Sequence, residues 1–447
     1  MSPSTSREGS PQSAQLTVRA GSPLAEIFLI DQDFVLTARS VGDFKAELPA
    51  GVYKIKAKLA DATVERLILL EDDETLDISN ELVIGSPVPL ADASAAGALE
   101  SLPVPDDRDA PRMEGRTQIM LMTRTEMASG DTPVMPPRIS LHTPGGSPIG
   151  SLEPEPRRLD YHDSTVIEVN PGAFFARRED RFGDAAEQCV YAVDGWQTQL
   201  FTLEQPGDED EIGRIRVSVL MSRDGFDPSD PELHTVEEAR TALACERKIA
   251  SEALAELCET TENPMLTLFG AHLMLIGRDA ERRDSSKRDA GRLDENAVMA
   301  PVQFEQARFD RIVDRLTDAL GPEHADVVAL ATQRRGQSLD ALHPIGAPPM
   351  LWRSWILLVA ASNDVPALVP THTWLRTLHV LPLRPFFLWA PVENPRVGDS
   401  LKDSIAVNTP RNSSEQSEAD DEVRRRLSDQ LIVPRSAIDQ IASDELS

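Results

Sequence analysis

Chemistry needs side chains that move protons, attack carbon or hold metals, and this sequence scatters them. Its eight histidines, His142, His162, His234, His272, His324, His343, His372 and His379, stand singly. Its three cysteines, Cys189, Cys245 and Cys258, are odd in number and widely spaced, with no Cys-x-x-Cys pair. That pattern argues against a disulfide framework or a zinc site and suits a reducing compartment. One arrangement could serve a hydrolase: Cys189 with His162, beside which Asp163 supplies a carboxylate. Neighbours on a strand face opposite ways, however, so Asp163 could not orient that imidazole. Gly145-Gly146-Ser147-Pro148-Ile149-Gly150 has the look of a phosphate loop but lacks the Gly-Lys-Ser/Thr ending and holds a proline. There is no His-Glu-x-x-His, Gly-x-Ser-x-Gly, Walker loop or dinucleotide fingerprint. No catalytic residue, metal ligand or cofactor is therefore assigned, and a hydrolase with an unrecognised Cys/His or carboxylate site stays as an alternative.

Charge narrows the partners. The chain has 447 residues, with 45 Lys plus Arg against 74 Asp plus Glu, a net charge of −29. Most of such a surface repels nucleic acid and anionic membranes. The acidic clusters at 71–74, 208–211 and 418–422 read as solvated loops and tails, or else as docking sites for a basic partner. The first residues contain no apolar signal-type run and no stretch is long enough to span a membrane, so a cytoplasmic protein is expected. Length and 34 prolines point to folded units separated by irregular linkers. The expected fold class is multidomain α+β.

The elements follow in order. Residues 1–14 are Ser/Pro-rich and expected to be disordered. Residues 15–84 contain six or seven short strand patterns with turns between them, the pattern of a small antiparallel β-sandwich. Within it, Lys54, Lys56 and Lys58 line one face of a strand, as a solvated, edge-protecting face or as a basic docking stripe. Residues 85–115 read as a linker, and 116–234 as a second β-rich unit in which Trp196 is a core residue. Residues 171–178 read as a turn entering a strand, or a contact loop.

From 235 to 395 the period becomes helical. Thr235 and Glu238 form a capping box, and Asn263-Pro264 opens an apolar helix predicted to stop at Gly277, with His272 as a core histidine. Residues 278–297 read as a charged, mobile loop, after which helices are expected near 302–320 and 325–335, then one opened by Pro348-Pro349 that carries Trp352, Trp355 and Leu358, and one near 371–378. Residues 381–391 carry too many prolines for a helix and read as an extended, packed segment. Four of the five tryptophans, Trp352, Trp355, Trp374 and Trp389, crowd into this region, marking either the main core or the main contact surface. The tail, 396–447, is acidic and expected to be largely disordered, with one short amphipathic helix around Arg424-Arg425-Arg426-Leu427. Trp352, Trp355, Trp374, Arg424, Arg425, Arg426 and Leu427 are the candidate partner-binding residues.

Two stretches resemble known modules. Leu48-Pro49-Ala50-Gly51-Val52-Tyr53-Lys54-Ile55 resembles the signature of carboxypeptidase-regulatory-like and PEGA-like sandwich domains, which implies a non-catalytic module that docks or presents other domains. The blocks at 263–273 and 348–355 are similar to a helical module of bacterial proteins that accompany caspase-like or trypsin-like peptidases. That likeness implies an accessory role in a bacterial regulatory or conflict system and carries over no catalytic residue. The residues and the resemblances together predict a non-catalytic adaptor that binds another protein and uses no cofactor, with a surface-associated sandwich protein as a further alternative.

Overall fold

The computed structural model describes residues 13–21, 25–59, 62–79, 81, 86–89, 116–125, 137–153, 162–179, 185–205, 214–246, 258–289, 304–381, 383–391 and 437. Residues 1–12, most of the 85–115 linker and all but one position of the 396–447 tail, Arg424 to Leu427 included, lie outside them. The protein is multidomain α+β and falls into two compact units. One takes Met1–Gly85, Ala244–Glu256 and Leu273–Phe304; the other takes Ser86–Leu243, Leu257–His272 and Glu305–Ser447.

The first unit holds seven strands: β1 (Ser13–Arg19), β2 (Glu26–Asp31), β3 (Leu36–Val41), β4 (Phe44–Pro49), β5 (Gly51–Leu59), β6 (Ala62–Leu70) and β7 (Glu74–Asp77). They form two sheets, ordered β4-β1-β7 and β3-β2-β5-β6. The second is antiparallel throughout; in the first, β7 runs parallel to β1. Strict alternation decides which residues go inside. Leu16 and Val18, Ile27 and Leu29, Tyr53, Ile55 and Ala57, Ile68 and Leu70 are buried, while the residues between them face outward. Pro49 and Gly51 make the turn into β5, and the Tyr53 hydroxyl closes it by donating to the Pro49 carbonyl at 2.9 Å. Ser13 and Ala14, expected to be disordered, instead open β1 because they pair with Pro49 and Leu48.

The second unit carries β8 (Gln118–Thr125), β9 (Arg138–His142), β10 (Pro148–Leu152), β11 (His162–Glu168), β12 (Gly172–Glu179), β13 (Ala185–Ala192), β14 (Gln197–Gln205) and β15 (Arg214–Ser222). Two short strands come from far downstream, β16 (Val380–Leu381) and β17 (Leu388–Trp389). The sheets are β11-β8-β14-β15 and β10-β9-β12-β13-β17-β16. β17 pairs antiparallel with β13 through Gln188 and Leu388, so the β-rich stretch and the helices after it share one core. The runs 119–122, 189–192 and 219–221 are buried at every position. That is the signature of strands covered on both faces, here by the opposite sheet and by helices.

The α-helices that bear on the site are α1 (Pro231–Ala244), α2 (Pro264–Asp289), α3 (Gln306–Leu320), α4 (Ala325–Ala331), α5 (Trp352–Ser362) and α6 (Thr371–Arg376). Two boundaries differ from the sequence reading. α1 starts at Pro231, not behind Thr235, because Asp230 accepts the Glu232 N–H at 2.8 Å and Pro231 supplies a preset first turn. The Thr235 hydroxyl instead bonds back to the Pro231 carbonyl at 3.1 Å. α2 runs through Gly277 to Asp289, so residues 278–289 are helical rather than looped. One glycine costs a helix only about 1 kcal/mol, and no proline follows it before Asp289. Ser86 to Pro89, at the start of the expected linker, are packed: the Ser86 hydroxyl donates to Glu237 at 2.7 Å and Val88 is buried.

Candidate functional site

A buried polar cluster lies where α2, α4, α5 and β13 meet. Asp326, on the first turn of α4, points its carboxylate at the start of α5. Oδ2 accepts the Met350 N–H at 2.8 Å and Oδ1 accepts the Leu351 N–H at 3.1 Å. The Ser354 hydroxyl also bonds to this carboxylate. His272 on α2 reaches Ser354 from the other side, Nε2 to Oγ at 2.9 Å. His324 caps α4, its Nδ1 accepting the Asp326 N–H at 3.2 Å, and its ring stacks on Tyr191 with centroids 3.7 Å apart. The Tyr191 hydroxyl meets the Ala325 N–H and the Cys189 thiol.

Burial governs the protonation of this cluster. It pushes Asp326 up to about 6, against the pull of its hydrogen bonds from Ser354, Met350 and Leu351. It pushes His272 down to about 3, with nearby Arg353 adding to the fall, and His324 down to about 3. Both imidazoles are therefore neutral near neutral pH. The Cys189 thiol is driven well above its ordinary value by burial and by the neighbouring Asp326.

Residue types alone would suggest a Ser-His-Asp catalytic set, but the connectivity is wrong for it. A triad needs the imidazole between hydroxyl and carboxylate, taking the serine proton. Here Ser354 stands in the middle, bonded to His272 on one side and to Asp326 on the other. All three side chains are fully buried, so no substrate reaches the hydroxyl. The cluster satisfies most of its buried polar atoms, His272 Nδ1 and His324 Nε2 being left without a partner, and joins three helices to a strand. The Cys189–His162 pairing meets a similar obstacle. His162 opens β11 in one sheet, whereas Cys189 sits on β13 in the other as a buried, protonated thiol.

The tryptophans take different places. Trp355 (3% exposed) and Trp374 (0%) are core residues and offer a partner no surface; Trp352 is half-buried. Trp355 stacks on Phe387 at 4.7 Å and meets Trp374 edge-on at 4.9 Å. Phe387 contacts Trp389, which meets Phe175 of β12 edge-on. Trp389 also donates its indole N–H to Glu187 of β13 at 3.1 Å, and Arg376 reaches the same carboxylate at 2.9 Å. The aromatic concentration thus marks the core joint between helices and sheet.

The surface that stands out is the outer face of the sheet β3-β2-β5-β6 in the first unit. Alternation turns Ile30, Val52, Lys54, Lys56, Lys58, Glu65, Leu67 and Leu69 outward. Leu67 is 74% exposed, Leu69 59% and Leu36 49%. At the same end, the β2–β3 turn holds Phe34 87% exposed at φ 61°, a left-handed conformation that glycine or asparagine adopts more cheaply. Asp31 secures that turn by accepting the Asp33 and Val35 N–H groups, each at 2.9 Å. Lys54 and Lys56 share Glu65, at 2.8 and 2.9 Å. The sequence reading identified the lysine stripe but not the apolar residues beside it; the outward register of Leu67 and Leu69, opposite Lys54 and Val52, was the missed signal.

Comparison with known proteins adds little to this geometry. No family model matches the chain, and no curated protein matches it significantly. Among solved structures, a minor pilin of Streptococcus agalactiae aligns over 44% of this chain and 98% of its own, at 11% identity and a TM-score of 0.16. A putative cell adhesion protein of Bacteroides ovatus aligns over 49% and 99%, at 8% identity and a TM-score of 0.15. Likenesses that low support no conclusion about fold or role. The resemblances of residues 48–55 and of the helical half rest on their own residues.

Proposed function

We propose that this is a non-catalytic protein that binds another protein through the outer sheet face of its N-terminal sandwich. The supporting observation is the cluster of exposed apolar side chains on that face, Leu36, Leu67 and Leu69, with Phe34 held outward in an unfavourable backbone conformation. Exposure of several large apolar groups in one place costs solubility and contributes nothing to the fold, so a contact is the economical reason for it. The side chains that could have been chemical, Cys189, His272, Ser354 and Asp326, are buried and occupied with one another, which favours binding over catalysis. We place the protein in the cytoplasm, where the free thiols of Cys189, Cys245 and Cys258 persist. A peptidase or effector of a bacterial regulatory system is the partner implied by the sequence resemblance.

The test is affinity capture from the native host with the full-length chain, read by mass spectrometry. Three baits are compared: wild type, the double variant Leu67→Lys/Leu69→Lys, and the chain lacking residues 396–447. A stoichiometric partner held by wild type and lost by the double variant supports the reading. A partner lost only with the tail moves the contact there. No stoichiometric partner, or turnover by the purified chain that mutation of one residue abolishes, overturns it.

A further inference from the structure

We infer that the occupant of this face is an amphipathic helix of another protein, acidic along one flank, lying across the strands; the inference rests on the binding role proposed above. The shape of the apolar area carries the argument. Ladder register aligns Leu36 of β3, Ile30 of β2, Lys54 of β5 and Leu67 of β6 in one row. The next row adds Val52 and Leu69. The band therefore crosses all four strands, about 14 Å at the usual strand spacing, and is two rows deep, about 7 Å, except on β2, where half-buried Phe28 carries it into a third row beneath Arg39. Phe34 extends it beyond the β2–β3 end.

A helix about 10 Å across covers that depth, and roughly three turns cover the width. An extra strand added beside β6 would lie against Leu67 and Leu69 but leave Leu36 and Phe34 bare. A second sheet needs a broad apolar face, and here the other half of the face is charged apart from Phe28, which Arg39 covers.

Charge sets the direction. Beyond the apolar band lie Arg39, Lys56 and Lys58, with Glu26 and Glu65 as the carboxylates among them. Arg39 pairs with Glu26, and Lys54 and Lys56 divide one carboxylate between them. The cations are in excess, on a chain of net charge −29. A helix flank carrying Asp or Glu complements them. The opposite flank faces Asp33 and the acidic turn at Glu71 and Asp72, and so takes basic or neutral residues. A second copy of this chain fits poorly, because two bodies of that net charge repel.

The test pans the full-length chain against a phage library of random peptides long enough for roughly four helical turns. Enriched sequences are then made as fluorescent synthetic peptides and titrated against wild type, Leu67→Lys/Leu69→Lys and Lys56→Glu/Lys58→Glu. Leu67 and Leu69 are exposed and Lys56 and Lys58 half-buried, so far-UV circular dichroism first checks that both variants fold. The expected result is a helical-period apolar stripe with acidic residues on one flank, and affinity that falls about tenfold or more in each variant and weakens with salt. Enriched peptides with strand periodicity, or affinity indifferent to Lys56→Glu/Lys58→Glu, overturn the acidic helix while leaving the face as a binding surface. Binding indifferent to Leu67→Lys/Leu69→Lys overturns both readings. A concentration-dependent dimer abolished by Leu67→Lys/Leu69→Lys, or a library that yields no binder, overturns the helix inference.

Discussion

Ser354 shows what a buried polar residue does when it is not catalytic. It links His272 to Asp326, and the carboxylate in turn holds two N–H groups ahead of α5. Ser354→Ala leaves both partners buried without it, and a loss of about 2 kcal/mol in urea unfolding is expected. The histidines predict acid sensitivity. His272 and His324 titrate near 6.5 when unfolded but near 3 in the fold, so the unfolded chain takes up their protons first as pH falls. Their contribution is complete above pH 6.5 and is lost progressively below it. Asp326 acts oppositely: raised from 3.8 to about 6, it favours the fold at low pH and loses that contribution as pH rises through 6. Two histidines against one aspartate leave one net proton, so this cluster lowers stability as pH falls between 6 and 4. His324→Asn keeps a capping side chain and removes one titration. Unfolding free energies measured across that range should show a flatter slope for the variant; an unchanged slope refutes the assignment.

At the scale of elements, close approach explains a residue that helix propensity disfavours. Gly270 sits inside α2, where a Cβ would come within 2.4 Å of the Cys258 Cβ and 2.5 Å of its sulfur. Gly270→Ala gains helix propensity yet should destabilise by about 1–3 kcal/mol, because the clash outweighs it. Adding Cys258→Gly removes both obstructing atoms, and thermal unfolding should show partial recovery. The start of α2 is fixed nearby: Asn263 Oδ1 accepts the Met265 N–H at 3.1 Å while its amide donates to the Met221 carbonyl at 2.9 Å. One side chain both caps the helix and ties it to β15.

For the larger unit as a whole, β17 is the joint. Trp389 is fully buried, packs on Phe387 and Phe175, and bonds Glu187, so helices and sheet depend on the same side chain. Trp389→Ala should cost about 3–5 kcal/mol and destabilise the sheet and the helices together. Tryptophan fluorescence and far-UV circular dichroism should then report one common transition for this unit; separate transitions would mean two cores. The double variant Leu67→Lys/Leu69→Lys should shift stability by no more than about 0.5 kcal/mol, because the replaced groups are already in water.

Much of this was legible along the chain, because some information is local. Period-two alternation located most of the strands, and Asn263-Pro264 located the start of α2, since backbone geometry and capping involve residues a few positions apart. Gly150 hides β10 and Gly277 reads as a stop, because a glycine looks like a break until its neighbours are known. What the sequence by itself determined is the α+β composition, the alternating faces of the sandwich and the want of a catalytic signature. The tertiary structure decided the rest. It alone brought His272, Ser354 and Asp326 into one chain, buried Trp355 and Trp374, and carried Leu388 to Gln188. It alone set Leu67 and Leu69 beside the lysines with water above them. Those outcomes depend on contacts between residues far apart in sequence, and no local pattern encodes which distant surface will cover a given side chain.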